Sequence, residues 1–154
     1  MKVPRATARS TATQLLSRRE HSVAELRRKL VAKGFDRAEI DDILATFQQG
    51  GWLSNERFVE SFIRARQSKC YGPLRIRQEL LDRGIEEVLM NAYLDIRASH
   101  WRGLALKARE KQFGSPVPKE AKEWARQARF LQHRGFSTEL IRSVMKPQSG
   151  DEDN

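Results

Sequence analysis

Leu80-Leu81-Asp82-Arg83-Gly84-Ile85 is one of three stretches built alike: an apolar helix end, a glycine, then a bulky apolar residue. The other two are Leu30-Val31-Ala32-Lys33-Gly34-Phe35 and Leu131-Gln132-His133-Arg134-Gly135-Phe136. The three glycines stand 50 and 51 residues apart. Glycine tolerates the left-handed backbone that stops a helix, so each stretch reads as a turn between two helices. A recurrence near 50 residues marks a tandem array whose units pack on their neighbours. Arrays of this kind offer long surfaces to other macromolecules, which disfavours a pocket enzyme.

Helix punctuation around the repeats is legible. Ser22-Val23-Ala24-Glu25 has the spacing of a capping box, and Asp36-Arg37-Ala38-Glu39 has it again. Phe35 with Ile40, Ile85 with Met90, and Phe136 with Ile141 around Ser137 are spaced as hydrophobic staples that set the angle between two helices. Leu26 and Leu30 define an inward face, echoed by Ile76 and Leu80. Met90, Tyr93 and Leu94 repeat the pattern of Ile40, Ile43 and Leu44, as do Ile141, Val144 and Met145. Gly50-Gly51 breaks the chain before Trp52 and Leu53. Ser54 caps the next helix, with Leu53 stapled to Phe58 and a stripe of Phe58, Phe62 and Ala65. Gly72-Pro73 opens another helix, with proline at the first helical position. Phe113-Gly114-Ser115-Pro116-Val117-Pro118 is a longer linker, and a longer helix follows it around 119–133.

No run alternates with period two, so no strand is expected. The predicted fold is all-α: about nine helices in three tandem three-helix repeats, forming an elongated, curved array. The expected boundaries are residues 1–50, 51–98 and 99–147, followed by a flexible acidic tail over 148–154. The chain has 154 residues, of which 39% are hydrophobic and 32% charged. Its one cysteine, Cys70, permits no internal disulfide, which fits a reducing cytoplasm. Cys70 lies near Arg66 and Lys69 and reads as an inert thiol at a helix end. His21, His100 and His133 have no partner at metal-ligand spacing, so neither a metal nor another cofactor is expected. No segment approaches the roughly 18 apolar residues of a membrane span, and no secretory signal is recognised.

Charge follows the repeat. Residues 1–33, 57–83 and 97–134 carry net charges of +7, +4 and +7. The intervening segments 34–56 and 84–96 carry −4 and −3, and the remainder −2. In-register stacking would line the basic segments into one stripe, which attracts polyanions. The central repeat supplies the leading candidates for that surface: Arg64, Arg66, Lys69, Arg75, Arg77 and Arg83. Arg27, Arg28, Lys122, Arg126 and Arg129 form a second tier, the last three on one helix face. Glu123 with Arg126 is spaced as a surface pair. Tyr71 and Trp52 could stack on a base if exposed, but packing is the expected role of both. Such a surface grips phosphates more than it reads bases. No phosphate-binding GxxxxGK[ST] loop or nucleophile arrangement occurs, and no catalytic residue is assigned.

The central residues are specific enough to compare with a known family. Gly51-Trp52-Leu53-Ser54-Asn55-Glu56-Arg57-Phe58, then Phe62-Ile63 and Arg66, then Tyr71 through Leu80 and Gly84-Ile85, resemble the bacterial regulatory family RecX. Ser22, Glu25, Leu26, Lys29, Leu30, Gly34 and Phe35 fit the same resemblance, as does Arg129-Phe130-Leu131 with Arg134-Gly135-Phe136-Ser137. The likeness spans about Ser22 to Met145. It implies three tandem three-helix repeats in a cytoplasmic, non-enzymatic modulator of the recombinase RecA. Such a protein binds the RecA–DNA filament and suppresses its ATPase, strand-exchange and co-protease activities, modulating DNA repair and recombination. A monomer that also contacts single- or double-stranded DNA through its basic surface is expected. The alternative is a helix-turn-helix-like transcription regulator. The segments after the turns argue against it: Asp36, Glu39, Asp41, Asp42, Glu86 and Glu87 would repel phosphates where a recognition helix should dock.

Overall fold

The computed structural model describes residues 6–146, and among them every regular element is an α-helix. The expected acidic tail, 148–154, lies outside the described residues. The helices are α1 (Ala8–Arg18), α2 (Val23–Ala32), α3 (Arg37–Gln49), α4 (Asn55–Ser68), α5 (Pro73–Asp82), α6 (Glu87–Tyr93), α7 (His100–Phe113), α8 (Ala121–Arg134) and α9 (Thr138–Met145). Within the described residues two compact units form: 6–62 with 80–93, and 63–79 with 94–146.

The three repeat glycines end α2, α5 and α8 in the same way. Gly34, Gly84 and Gly135 have φ of +88°, +77° and +99°. In each case the next residue's N–H reaches back five positions, from Phe35 to Leu30, Ile85 to Leu80 and Phe136 to Leu131, over 3.1–3.3 Å. This is the Schellman arrangement, which satisfies carbonyls a helix end otherwise orphans. Gly51 repeats it after α3, with Trp52 bonded to the Phe47 carbonyl. Cys70 repeats it after α4 with φ +59°, the one non-glycine residue among those described with positive φ. Tyr71 then bonds to the Arg66 carbonyl at 3.1 Å.

Helix starts follow the sequence with one exception. Ser22 and Glu25 form both bonds of a capping box, and Ser54 and Ser137 accept from the amides of Arg57 and Leu140. Asp36 sits at the N-cap of α3 but makes no side-chain cap bond, so the second expected capping box does not form. At that spacing its carboxylate can stay hydrated without leaving a buried donor, because Asp36 and Glu39 are both exposed.

In the first unit, Ala8 and Ala12 of α1, Leu26 and Leu30 of α2, and Ile40, Ile43, Leu44 and Phe47 of α3 share one core with Leu53. Ser22 Oγ donates to the Arg83 carbonyl over 2.7 Å, and the Val23 amide donates to Asn55 Oδ1 over 2.8 Å. In the second unit, Ala105 and Ala108 of α7, Leu131 of α8 and Ile141, Val144 and Met145 of α9 pack with Cys70 and Phe136. Leu30, Leu80 and Leu131 are wholly buried. Truncating any of them to alanine is expected to cost about 2–5 kcal/mol in chemical denaturation, as buried leucines do. Near-neutral effects at all three would contradict the core described here.

Three expected apolar positions turn outward. Trp52 is 64% exposed and Tyr93 39%, and Ala65 is also exposed. Trp52 leaves the core because its backbone, not its ring, closes the α3 end, while the ring lies beside Phe47 at 6.3 Å. Tyr93 is the last residue of α6, and that short helix turns Met90 inward instead.

His21 is buried between α1 and α2, with Nδ1 3.1 Å from the Arg19 carbonyl and Nε2 2.9 Å from Lys29 Nζ. Lys29 can only donate, so Nε2 accepts and the ring is neutral, donating from Nδ1. Burial holds the imidazole below its ordinary 6.5, and the nearby Arg19 and Lys29 charges act in the same direction; the Arg19 carbonyl and Glu25 oppose them. The unfolded chain therefore binds a proton that the folded chain refuses, and stability falls as pH drops below 6.5. Glu25, held below its ordinary 4.5 by Arg19 and the Ser22 amide against the opposing effect of burial, begins to lose its contribution only below 4.5. Urea midpoints are expected to fall between pH 7 and pH 5, and to fall less in His21→Gln. Equal slopes in the two proteins would contradict the neutral His21.

Candidate functional site

Tyr71 is the centre of the basic cluster that the second unit assembles. It follows the left-handed turn at Cys70, and that turn carries its ring under three guanidinium groups. Arg75 lies 4.1 Å from the ring centroid, Arg134 4.8 Å and Arg66 5.6 Å. Cations over an aromatic face are attracted by its quadrupole. Glu79 holds two of them in place, with Oε2 2.6 Å from Arg66 Nε and Oε1 3.1 Å from Arg75 Nε. Arg75 also donates to the His133 carbonyl, and Arg134 to the Lys69 carbonyl over 2.8 Å.

The backbone beneath is tied equally tightly. The Gly72 amide donates to the Arg134 carbonyl over 2.6 Å and the Leu74 amide to the Gly135 carbonyl over 3.0 Å. The α4–α5 turn and the α8–α9 turn thus hold each other. A side chain at Gly72 would strike the Gly135 backbone, and one at Gly135 would strike Arg75. The cluster is pre-organised: each of its arginines already has partners that hold its guanidinium in place.

Of the leading candidates, Arg66 and Arg75 therefore come together around Tyr71. Arg64 and Lys69 are exposed on α4 and just past its end. Arg77 is half-buried on α5, beyond the wholly buried Ile76 from Arg75. Arg83 belongs to the first unit, where its guanidinium covers the Phe62 ring at 4.7 Å. Among the second tier, Arg27 pairs with Asp41 at 3.3 Å and Arg28 donates to the Asp82 carbonyl. Arg126 pairs with Glu123 at 3.1 Å, while Lys122 and Arg129 are exposed on the same helix. Hydrogen bonds from Gln127 and then Arg126 hold the Glu123 carboxyl below its ordinary value.

Two cations escape a reading of the sequence. Arg134 reads there as a helix-end residue, yet it joins Tyr71, Lys69 and Phe130. Arg109 is almost wholly buried on α7 and donates to the Ser115 and Pro116 carbonyls, fastening the proline-rich linker. No local spacing signals either role, because their partners are far away or lie in a loop. Among the described residues no cluster of three metal-ligating side chains occurs, and no helix is long and apolar enough to cross a membrane.

Comparison with known proteins groups the helices three by three along the chain. The model of the RecX first three-helix domain matches residues 8–47, that of the second 54–94 and that of the third 103–145. The regulatory protein RecX of Halorhodospira halophila is 38% identical over 146 residues, covering 95% of this chain and 89% of the relative. That of Legionella pneumophila is 41% identical over 136 residues, covering 88% and 91%. The crystal structure of RecX from Lactobacillus salivarius superposes with a TM-score of 0.74 at 17% identity, covering 90% of this chain and 92% of that one. With the three domain types matched in order, and with relatives this similar along almost their whole length, the chain belongs to the RecX family of regulatory proteins.

Proposed function

We propose that this protein binds the RecA recombinase–DNA filament and inhibits its ATPase, strand-exchange and co-protease activities, without catalytic turnover of its own. Family membership over nearly the whole chain carries the reading. The pre-organised arginine cluster at Tyr71 supports it: fixed cations lose little side-chain entropy when they meet phosphates or carboxylates. Arg64, Arg66, Lys69, Arg75, Arg77 and Arg83 lead the contact surface, with Arg27, Arg28, Lys122, Arg126 and Arg129 contributing around it. The protein acts as a monomer in the cytoplasm, and its basic surface also touches DNA.

Strand exchange by the host recombinase, followed with and without saturating protein, tests the proposal. Exchange and co-protease cleavage should both fall. Rates unchanged at saturation would overturn it, and tight binding to one duplex operator over random DNA would favour a repressor instead.

A further inference from the structure

Lys69, Lys111 and Arg134 line one cleft of about 180 Å³ in the second unit, with Phe130 and Gln112 among its walls. No acidic residue lines it. Neither lysine nor Arg134 has an ion pair among the described residues. Each cation sits in or just beyond the last turn of its helix, where it offsets the macrodipole. A helix end carries about half a negative charge, so three full charges leave the cleft net positive. Arg134 is fixed there by the Lys69 carbonyl and by the Tyr71 and Phe130 rings, the latter 5.1 Å away.

We propose that this cleft binds a phosphate group of a nucleic-acid backbone. The cleft has room for a tetrahedral anion with water around it, and the three cations lining it can donate to its oxygens. Arg134 also joins the cleft to the Tyr71 cluster, where Arg66 and Arg75 share the single carboxylate of Glu79. Cations that continue from a concave anchor fit a chain of phosphates better than a single carboxylate. The inference rests on the DNA-contacting part of the function proposed above. It adds Lys111 and Arg134 to the surface and names the group they hold.

Lys69→Gln with Lys111→Gln tests it, because both side chains are exposed and their loss should leave the thermal melt unchanged. Lys33→Gln with Lys119→Gln, also exposed and absent from the cleft lining, removes equal charge elsewhere. A fluorescent oligo-dT is titrated by anisotropy across salt, and tripolyphosphate by calorimetry. The cleft variant should bind oligo-dT about tenfold more weakly. Its salt slope should flatten by about 0.7, the contribution of the one single-strand phosphate no longer neutralised. The charge-matched control should change much less. Equal oligo-dT affinity in the two variants would overturn the proposal. So would loss of tripolyphosphate binding alone, which assigns the cleft to a free polyphosphate, or loss of recombinase inhibition alone, which assigns it to carboxylates of a protein partner. If the wild-type protein fails to inhibit the recombinase while the cleft variant loses oligo-dT, the phosphate site stands and the regulator reading falls. If inhibition holds and oligo-dT binding is unmoved, the reverse is true.

Discussion

Gly135→Ala is expected to destabilise the protein by about 2–5 kcal/mol, whereas Gly34→Ala should cost only about 1–2 kcal/mol. The two glycines occupy the same place in their repeats and share the left-handed backbone, with φ of +99° and +88°. An alanine carries the conformational penalty of that backbone, about 1–2 kcal/mol, at either site. The surroundings differ. Nothing lies within 4 Å of a side chain at Gly34, but one at Gly135 would meet the backbone and Cβ of Arg75. Overpacking adds about 1–3 kcal/mol there. Gly72→Ala carries no left-handed penalty, because Gly72 does not have positive φ, but its side chain would meet the Gly135 backbone and should cost about 1–3 kcal/mol. Urea denaturation of the three variants checks this. Equal costs at Gly34 and Gly135 would mean that the two turns are not pressed together.

The second large effect is expected at Trp101. It is almost wholly buried at the start of α7, and its indole Nε1 donates to the Asp95 carbonyl over 2.6 Å. Truncation to alanine removes the largest buried side chain of the second unit and its bond to that carbonyl, which keeps the Ala98 amide as a donor, costing about 3–5 kcal/mol. Trp101→Phe keeps most of the volume and loses the bond, so it should cost about 0.5–1.5 kcal/mol. A Trp101→Ala variant that melts with the wild-type protein would contradict the burial.

What can be read from the sequence depends on how local its cause is. The three glycine turns are legible because a left-handed residue, an apolar follower and a capping residue all lie within a few positions. The same turn at Cys70 is not, since a cysteine gives no sign of positive φ. Tyr71 therefore reads as a packing residue, although its ring lies under three arginines. The Asp36 capping box fails for the opposite reason: spacing permits the bond, but an exposed carboxylate gains little by making it. Trp52 shows the limit of apolar patterning, because its position is fixed by the backbone that closes α3. Among the candidate cations, charge counting finds Arg66 and Arg75. Arg134 requires tertiary partners at Tyr71 and at Lys69, the latter 65 positions away along the chain, which no pattern along the sequence encodes.

ATP hydrolysis by the host recombinase on single-stranded DNA, measured as this protein is titrated in, tests the account most directly. Hydrolysis should fall with protein concentration, and the inhibition should weaken in Arg64→Glu with Lys69→Glu, two exposed positions beside the Tyr71 cluster. A rate that stays constant to saturating protein would contradict the account.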